Sequence, residues 1–484
     1  MTDTQALEQQ APSLAAENGG STASLSGVDY TFDGGWPTGD TAQRAYDDLD
    51  LVRALQMYRT FYPTVSCWAM FHGNAEIGVF PNRTWGSMST LPRHVGFTLN
   101  SDTPYGGFLL DLSIGPIVIE LPPGPLLGAG MDLNQRWVAD LGLPGPDAGK
   151  GGKHLFVPPG YQGEIPDGYY LCHSTTFKVL TGVRAIPEHG DLDGAVARLR
   201  SVNVHPLEPA AVWEGLKWID MSPDPQDTTP LKVEDTLDYW RALHEVVDSE
   251  PPFEGYREHY GELATLGIAK GQPFAPDERM RGILEKAARL GCQQMRVQSF
   301  ADRRPDRVVW PDRQWQWAGL RYENGSFDTE NYTDTYAREK WFFQAIATSP
   351  AMFRRDTQAG SLYWLGLRDA SGAYLEGSKS YRLKVPLPVP ARLFWSVTVY
   401  DTETRSQIDT EQGKAALRSL FELGDLPGDA AELFFSPEPP EGDAAKRWIQ
   451  TIPGKGWFVY FRIYGPEGPA FDGSWKPGDF EISD

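Results

Sequence analysis

Thr98-Leu99-Asn100-Ser101-Asp102-Thr103-Pro104-Tyr105 runs directly into Gly106-Gly107-Phe108-Leu109-Leu110-Asp111-Leu112. After Ser113-Ile114-Gly115-Pro116 comes a second apolar run, residues 117–121. Asn, Ser and Asp side chains hydrogen-bond to nearby backbone and Pro fixes φ, so the first eight residues read as a turn-rich cluster. The two apolar runs around Gly115-Pro116 predict a β-hairpin. Hydroxyl, amide and carboxylate groups are thereby set at the mouth of a sheet, a common way to build a binding site.

N-terminal to this stretch, Asp40-Thr41-Ala42-Gln43 has the capping-box pattern. Ala45, Leu49, Val52 and Leu55 follow at helical spacing and predict a helix to about residue 61. Pro63 is expected to end it and to begin a shorter helix through Trp68 and Phe71, both packing against the sheet entered at Thr98. Residues 115–179 read as short strands (155–157 and 169–171 among them) and loops, including a glycine-rich loop over 142–153. An amphipathic helix is expected over 191–200, followed by a Pro-rich connector over 206–230. Helical periodicity then covers 233–247, 277–298 and 335–348, the last closed by Pro350. The β pattern resumes where Tyr381, Leu383, Val385 and Leu387 alternate with Arg382, Lys384 and Pro386. Strands over 393–400 and 457–464 carry aromatics on both faces, which predicts burial on both sides, in a sandwich or under a partner subunit.

The expected fold is mainly β (α+β): two β-sandwich domains, jelly-roll-like, with N-terminal helices and a helical insert between them. The divisions are a disordered leader 1–35, a first β domain with its helices over 36–230, the insert 231–350, and a second β domain 351–484. A chain of 484 residues exceeds one ordinary core, and 50 Gly, 39 Pro and 12% aromatic residues favour many turns and short strands. The net charge of −21 repels phosphate backbones and anionic lipid, so neither nucleic acid nor a membrane is expected as partner. Cys67, Cys172 and Cys292 have neither disulfide-framework nor zinc-type spacing and read as buried thiols. The N-terminus lacks a basic segment followed by an apolar one, so no signal peptide is read and a cytoplasmic chain is expected.

Several long motifs resemble known families. Thr98-x-Asn100-x-Asp102-Thr103-Pro104-Tyr105, Asn134-Gln135-Arg136-Trp137-Val138-x-Asp140-x-Gly142-Leu143-Pro144-Gly145-Pro146-Asp147, Gly151-Gly152-Lys153-His154-Leu155 and Pro158-Pro159-Gly160-Tyr161 resemble domain-of-unknown-function family 1254. Phe394-Trp395-Ser396-Val397-Thr398-Val399-Tyr400-Asp401-x-x-Thr404-Arg405-Ser406 and Trp448-Ile449-Gln450-Thr451-x-Pro453-Gly454-Lys455-Gly456-Trp457-Phe458 resemble its usual partner, family 1214. The resemblance spans about residues 40–480. It implies a pair of jelly-roll-like domains with helical additions and a homo-oligomer, a trimer, akin to double-jelly-roll capsid proteins. It also implies export for many relatives, from which this N-terminus departs. No general activity comes with it.

Asn100, Asp102, Tyr105 and Arg136 form the leading candidate site. If Asp102 and Arg136 converge, a carboxylate is held ionised beside a fixed cation, with Tyr105 as donor or acid. The alternative is that Asp102 caps the turn and Arg136 is its structural partner. Gly149-Lys150-Gly151-Gly152-Lys153 departs from the phosphate-loop pattern, because three residues separate Gly145 from Gly149 and Gly151 follows Lys150. It reads as a surface loop or a lid bringing Lys153 to a ligand. Tyr400-Asp401 with Thr404-Arg405-Ser406 repeats the first site in type, and Lys455 and Trp457 belong to a strand able to line the same cavity. The alternative has Arg405 locking its turn. His244-Glu245-Val246-Val247-Asp248 lacks the second His of the helical metalloprotease motif and reads as a solvated face, so no metal ligand is assigned. Without a Gly-x-Ser-x-Gly elbow or dinucleotide fingerprint, no cofactor is expected.

These readings favour binding, with hydrolysis left open, of a small organic molecule or saccharide in a β-domain cavity. The alternatives are a structural protein assembling as capsid-like trimers and a metal-dependent oxygenase or hydrolase.

Overall fold

The structure, a computed structural model, describes residues 29–208, 213, 215–319, 325, 327–358, 360–424 and 426–483. The leader expected over 1–35 lies outside these residues as far as residue 28. The chain divides after Val52 into two compact units, taken in turn. Helix accounts for 29% of the chain and strand for 28%, and four sheets hold the larger cores.

In the first unit, Phe32–Asp33 pairs antiparallel with Trp36–Pro37. The helix that follows is capped by Thr38. Its Oγ1 accepts from the Thr41 amide at 3.3 Å and its carbonyl from the Ala42 amide at 2.9 Å. The cap expected at Asp40 is therefore displaced upstream, and the Thr41 hydroxyl instead accepts from the Thr31 amide at 2.8 Å.

That helix runs unbroken over Gly39–Glu76, straight through Pro63, where the sequence predicts a stop. Proline withholds an N–H and crowds the carbonyl one turn before it. Tertiary donors act on the carbonyls around that break: Tyr239 Oη donates to Tyr58 O at 2.6 Å and Arg338 to Thr60 O at 2.7 Å. The carbonyl that loses its own donor is that of Arg59, and these two bonds anchor the residues on either side of it.

In the second unit, the first sandwich pairs a six-stranded sheet with a four-stranded one. The six strands lie in the order Lys217–Asp220, Thr84–Met88, Tyr105–Asp111, Lys178–Ala185, Leu126–Asp132, Trp137–Gly142. The four lie in the order Asn203–Pro206, Ile117–Leu121, Gly152–Val157, Tyr169–His173. Phe108, Leu110, Ile117, Ile119, Phe156 and Val183 fill the space between them. The hairpin expected around Gly115-Pro116 is not formed, because the strands 105–111 and 117–121 belong to different sheets. Asp111 Oδ1 accepts from the Ser113 amide at 3.0 Å, and Gly115 adopts φ 114°, which carries the chain from one layer to the other.

The second sandwich has a five-stranded sheet in the order Gln316–Trp317, Ser361–Gly366, Trp457–Pro466, Ala391–Asp401, Ala416–Arg418. Facing it is a four-stranded sheet in the order Trp448–Gln450, Ala430–Ser436, Tyr381–Pro386, Phe480–Ile482. Three strand pairs across the two sandwiches are parallel, which departs from the antiparallel pattern of a jelly roll.

The helical insert appears as Asp238–Ser249, Arg257–Thr265, Glu278–Phe300 and Thr335–Gln344. Gly291 is required where two helices meet, since a Cβ there would lie 2.4 Å from the Tyr58 ring. Arg405, fully buried, joins these parts. Its guanidinium meets Glu234 at 2.7 Å, donates to Tyr62 Oη and to Phe343 O, and lies over the Phe97 and Phe343 rings. Arg405 thus ties its turn to Tyr62 of the long helix, to Glu234 and to Phe343, where the alternative reading has it locking the turn to a neighbouring strand or subunit. Removing one partner of a buried ion pair leaves the other charge uncompensated. Arg405→Ala is therefore expected to cost roughly 3–5 kcal/mol, read as a lowered urea midpoint.

Candidate functional site

The outer face of the six-stranded sheet carries side chains in register across its strands. One row is Met88, Tyr105, Arg184 and Leu127. The next is Gly86, Gly107, Gly182 and Ala129, ending at Asp140 on the edge strand. A third is Leu109, Leu180 and Met131. The middle row is nearly bare, and a Cβ built on Gly107 or Gly182 would meet no atom within 4 Å. Above it lies a cavity of about 240 Å³.

The second sandwich faces this cavity with the outer side of its five-stranded sheet. Along the strand 457–466, Val459, Phe461 and Ile463 point into the second core, while Tyr460, Arg462 and Tyr464 line the cavity with Tyr363 from the neighbouring strand. Strand alternation produces this division. The strand is buried on both sides, as expected, and its second cover is the first sandwich of the same chain.

The polar end is tightly wired. Asn100 Nδ2 and Arg184 Nη1 both donate to Tyr464 Oη, at 3.1 and 2.9 Å. Arg462 Nη2 donates to the Thr98 carbonyl at 2.8 Å, and its guanidinium lies 5.0 Å from the Tyr460 ring centroid. Tyr400 Oη donates to Leu99 O at 2.8 Å. Asp102, fully buried, accepts from Ser396 Oγ at 2.9 Å. Burial pushes the Asp102 carboxyl up, against the pull of Arg462 and the Ser396 hydrogen bond. Burial likewise raises the Tyr400, Tyr460 and Tyr464 phenols, so these groups stay neutral at pH 7.

The opposite end is apolar: Leu109, Leu180 and Met131 form one wall, with Met70 of the long helix, Met221 and Ile346 around it. Where the glycine row ends, burial pushes the Asp140 carboxyl up to about 7, opposed by hydrogen bonds from Ser349, the Ala351 backbone and Trp137.

Among the expected site residues, Asn100 and Tyr105 line the cavity. Asp102 sits behind them as a seam residue and does not meet Arg136. Arg136 pairs with Asp328 at 3.0 Å and lies over Phe253, whereas the cations acting on Asp102 are Arg462, Arg418 and Arg184. Lys153 lies over the Tyr169 ring on the four-stranded sheet. The loop before it is held down: the Gly149 carbonyl accepts from the Gly124 amide, and buried Asp147 accepts from His154 and the Gly142 amide. Lys455 pairs with Glu403, and Trp457 belongs to the second core. Tyr400 supports the seam from below Arg462. Five expected ligand residues (Lys153, Tyr400, Arg405, Lys455 and Trp457) are therefore not among those lining the cavity. On the helix 238–249, His244 Nε2 lies 2.7 Å from Gln272 O and Asp248 accepts from the Gly271 amide, so both hold a loop. Among the described residues no group of three His, Cys, Asp or Glu is placed to hold a metal ion, and no helix is long and apolar enough to cross a membrane.

Sequence reasoning missed Arg184, Tyr363, Arg462 and the glycine row. Tyr460-Phe461-Arg462-Ile463-Tyr464 and Leu180-Thr181-Gly182-Val183-Arg184 each alternate, and that alternation was the available signal.

Residues 84–206 match the family described as protein of unknown function (DUF1254), and residues 360–468 match protein of unknown function (DUF1214), in the order implied by the motifs. No match was found among curated proteins. The chain is similar in fold to the crystal structure of the VPA0106 protein from Vibrio parahaemolyticus. The TM-score is 0.57 at 16% identity, over 90% of this chain and 100% of that one. An uncharacterized protein from Burkholderia cenocepacia aligns over 92% of this chain and 97% of its own, with TM-score 0.39 and 11% identity.

Asp140 sets a pH dependence. Its folded carboxyl titrates near pH 7, whereas an unfolded aspartate releases its proton near pH ~4. Between those values the folded state holds the extra proton, so its contribution to stability falls as pH rises. Asp140→Asn is expected to gain on the wild type by a few kcal/mol from pH 5 to pH 8, measured by urea unfolding at each pH.

Proposed function

We propose that the chain binds a small organic molecule with an apolar body in the cavity between the two sandwiches. The supporting observation is the in-register pair Gly107 and Gly182, which leaves space where two neighbouring strands would otherwise present side chains, beside Ala129 and a Gly86 covered by Met221. Such space is unfavourable when empty. A ligand filling it offsets that cost by restoring contacts.

Hydrolytic turnover draws less support than binding. Ser396 and Asp102 are hydrogen-bonded to each other, but neither lines the cavity. A saccharide draws less support than an apolar ligand, because one wall offers Leu and Met in place of hydrogen-bonding groups. The trimer implied by the family resemblance is a separate proposal, tested by light scattering. Its interfaces would use surfaces other than the aromatic stretches 394–401 and 457–466, whose faces are covered within the chain.

A thermal-shift screen of aliphatic and aromatic acids, esters, alcohols and sugars tests the binding reading against Gly182→Val. The β-branched side chain suits a strand and enters empty space, so the variant is expected to fold with an equal or higher Tm. At least one apolar compound should raise the wild-type Tm with concentration and leave the variant unmoved. Compounds that shift both proteins equally, or shifts from sugars alone, would sink the reading.

A further inference from the structure

We propose that the ligand is a monocarboxylate of about ten non-hydrogen atoms with an apolar tail, its carboxylate held by Arg184 with the Arg462 charge behind it; this rests on the binding reading above. Size comes from volume. A dry cavity of about 150 Å³ holds benzene, so 240 Å³ admits a body of that larger order.

Charge comes from the polar end. Arg462 is 2% exposed and lines the cavity, yet its Nε and Nη1 have no hydrogen-bond partner. Those two groups are enclosed by protein beside the Tyr363, Tyr400 and Tyr460 rings, so Arg462 acts on a ligand through its charge. Arg184 lines the same end and keeps accessible surface there. The hydrogen-bond partners of the two guanidiniums are neutral: Tyr464 Oη for Arg184 and the Thr98 carbonyl for Arg462. Asp102 supplies one carboxyl against two cations, and burial favours its protonated form. Asp140, which also lines the cavity, lies on the edge strand two strands from Arg184, so the polar end is net positive and favours an anionic head, while the Leu and Met wall opposite offers no partner for a second charge. The planar fork of Arg matches a carboxylate.

Direction comes from the rows. The charged row and the apolar row flank the bare glycine row on one sheet face, so a head at Arg184 places a tail across Gly182 toward Leu180 and Met131. Octanoate has this shape and charge.

Calorimetry with octanoate and octan-1-ol, on the wild type, Arg184→Met and Gly182→Val, decides the matter. Wild type is expected to bind the acid at least about tenfold tighter than the alcohol. Arg184→Met should lose about tenfold for the acid and leave the alcohol within about twofold. Gly182→Val should lose both. Arg184 is chosen over Arg462 because Arg462 also holds the Thr98 carbonyl, so its loss risks the fold. Equal affinity for acid and alcohol, or an acid preference that survives Arg184→Met, overturns the carboxylate assignment and leaves the cavity reading standing. Binding of neither compound to the wild type overturns the assignment too. The cavity reading then stands or falls on the wider screen.

Discussion

The structure turns on one constraint: the polar backbone of residues 98–105 is buried between two sandwiches and must be hydrogen-bonded there. The second sandwich and its turn supply the partners. Arg462 and Tyr400 act on the carbonyls of Thr98 and Leu99, Ser396 acts on Asp102, and the Thr98 amide donates to the Arg405 carbonyl at 2.9 Å. Each such group left unmet would cost about 1–3 kcal/mol. Satisfying them fixes how the two sheets face each other, and the cavity is what remains between the faces.

Buried polar seams and cavities usually exclude each other, because interiors close-pack. Here glycine keeps them apart. Side chains at the row of Tyr105 and Arg184 reach the second sandwich, and those at the row of Leu109 and Leu180 meet the long helix. The row between has almost nothing to offer. The resulting space is polarised, with guanidinium and phenol groups at one end and Leu and Met at the other. The chain's net charge of −21 belongs to its whole composition. The polar end of the cavity carries the opposite sign in Arg184 and Arg462.

The long helix and Arg405 illustrate the same dependence on distant partners. Pro63 ought to stop a helix, and Tyr239 and Arg338 act on the carbonyls beside it. Arg405 looks like a site residue because it follows Tyr400-Asp401 at a strand end. Its charge is instead consumed by Glu234, 171 positions away in the chain.

Local patterns alone determined much of this protein. Alternation located the strand 381–386, aromatic enrichment located 457–464, periodicity located the helix 278–300, and the turn-rich stretch 98–105 marked one side of the candidate site. Asn100 and Tyr105 were legible for that reason. Only the tertiary structure decided that 105–111 and 117–121 enter different sheets, that Asp102 accepts from Ser396 and feels the charge of Arg462 rather than meeting Arg136, and that Gly86, Gly107 and Gly182 share one row. Strand periodicity says which residues share a face. Which strands are neighbours, in what register, and what covers that face depend on hydrogen bonds and packing between segments far apart in the chain.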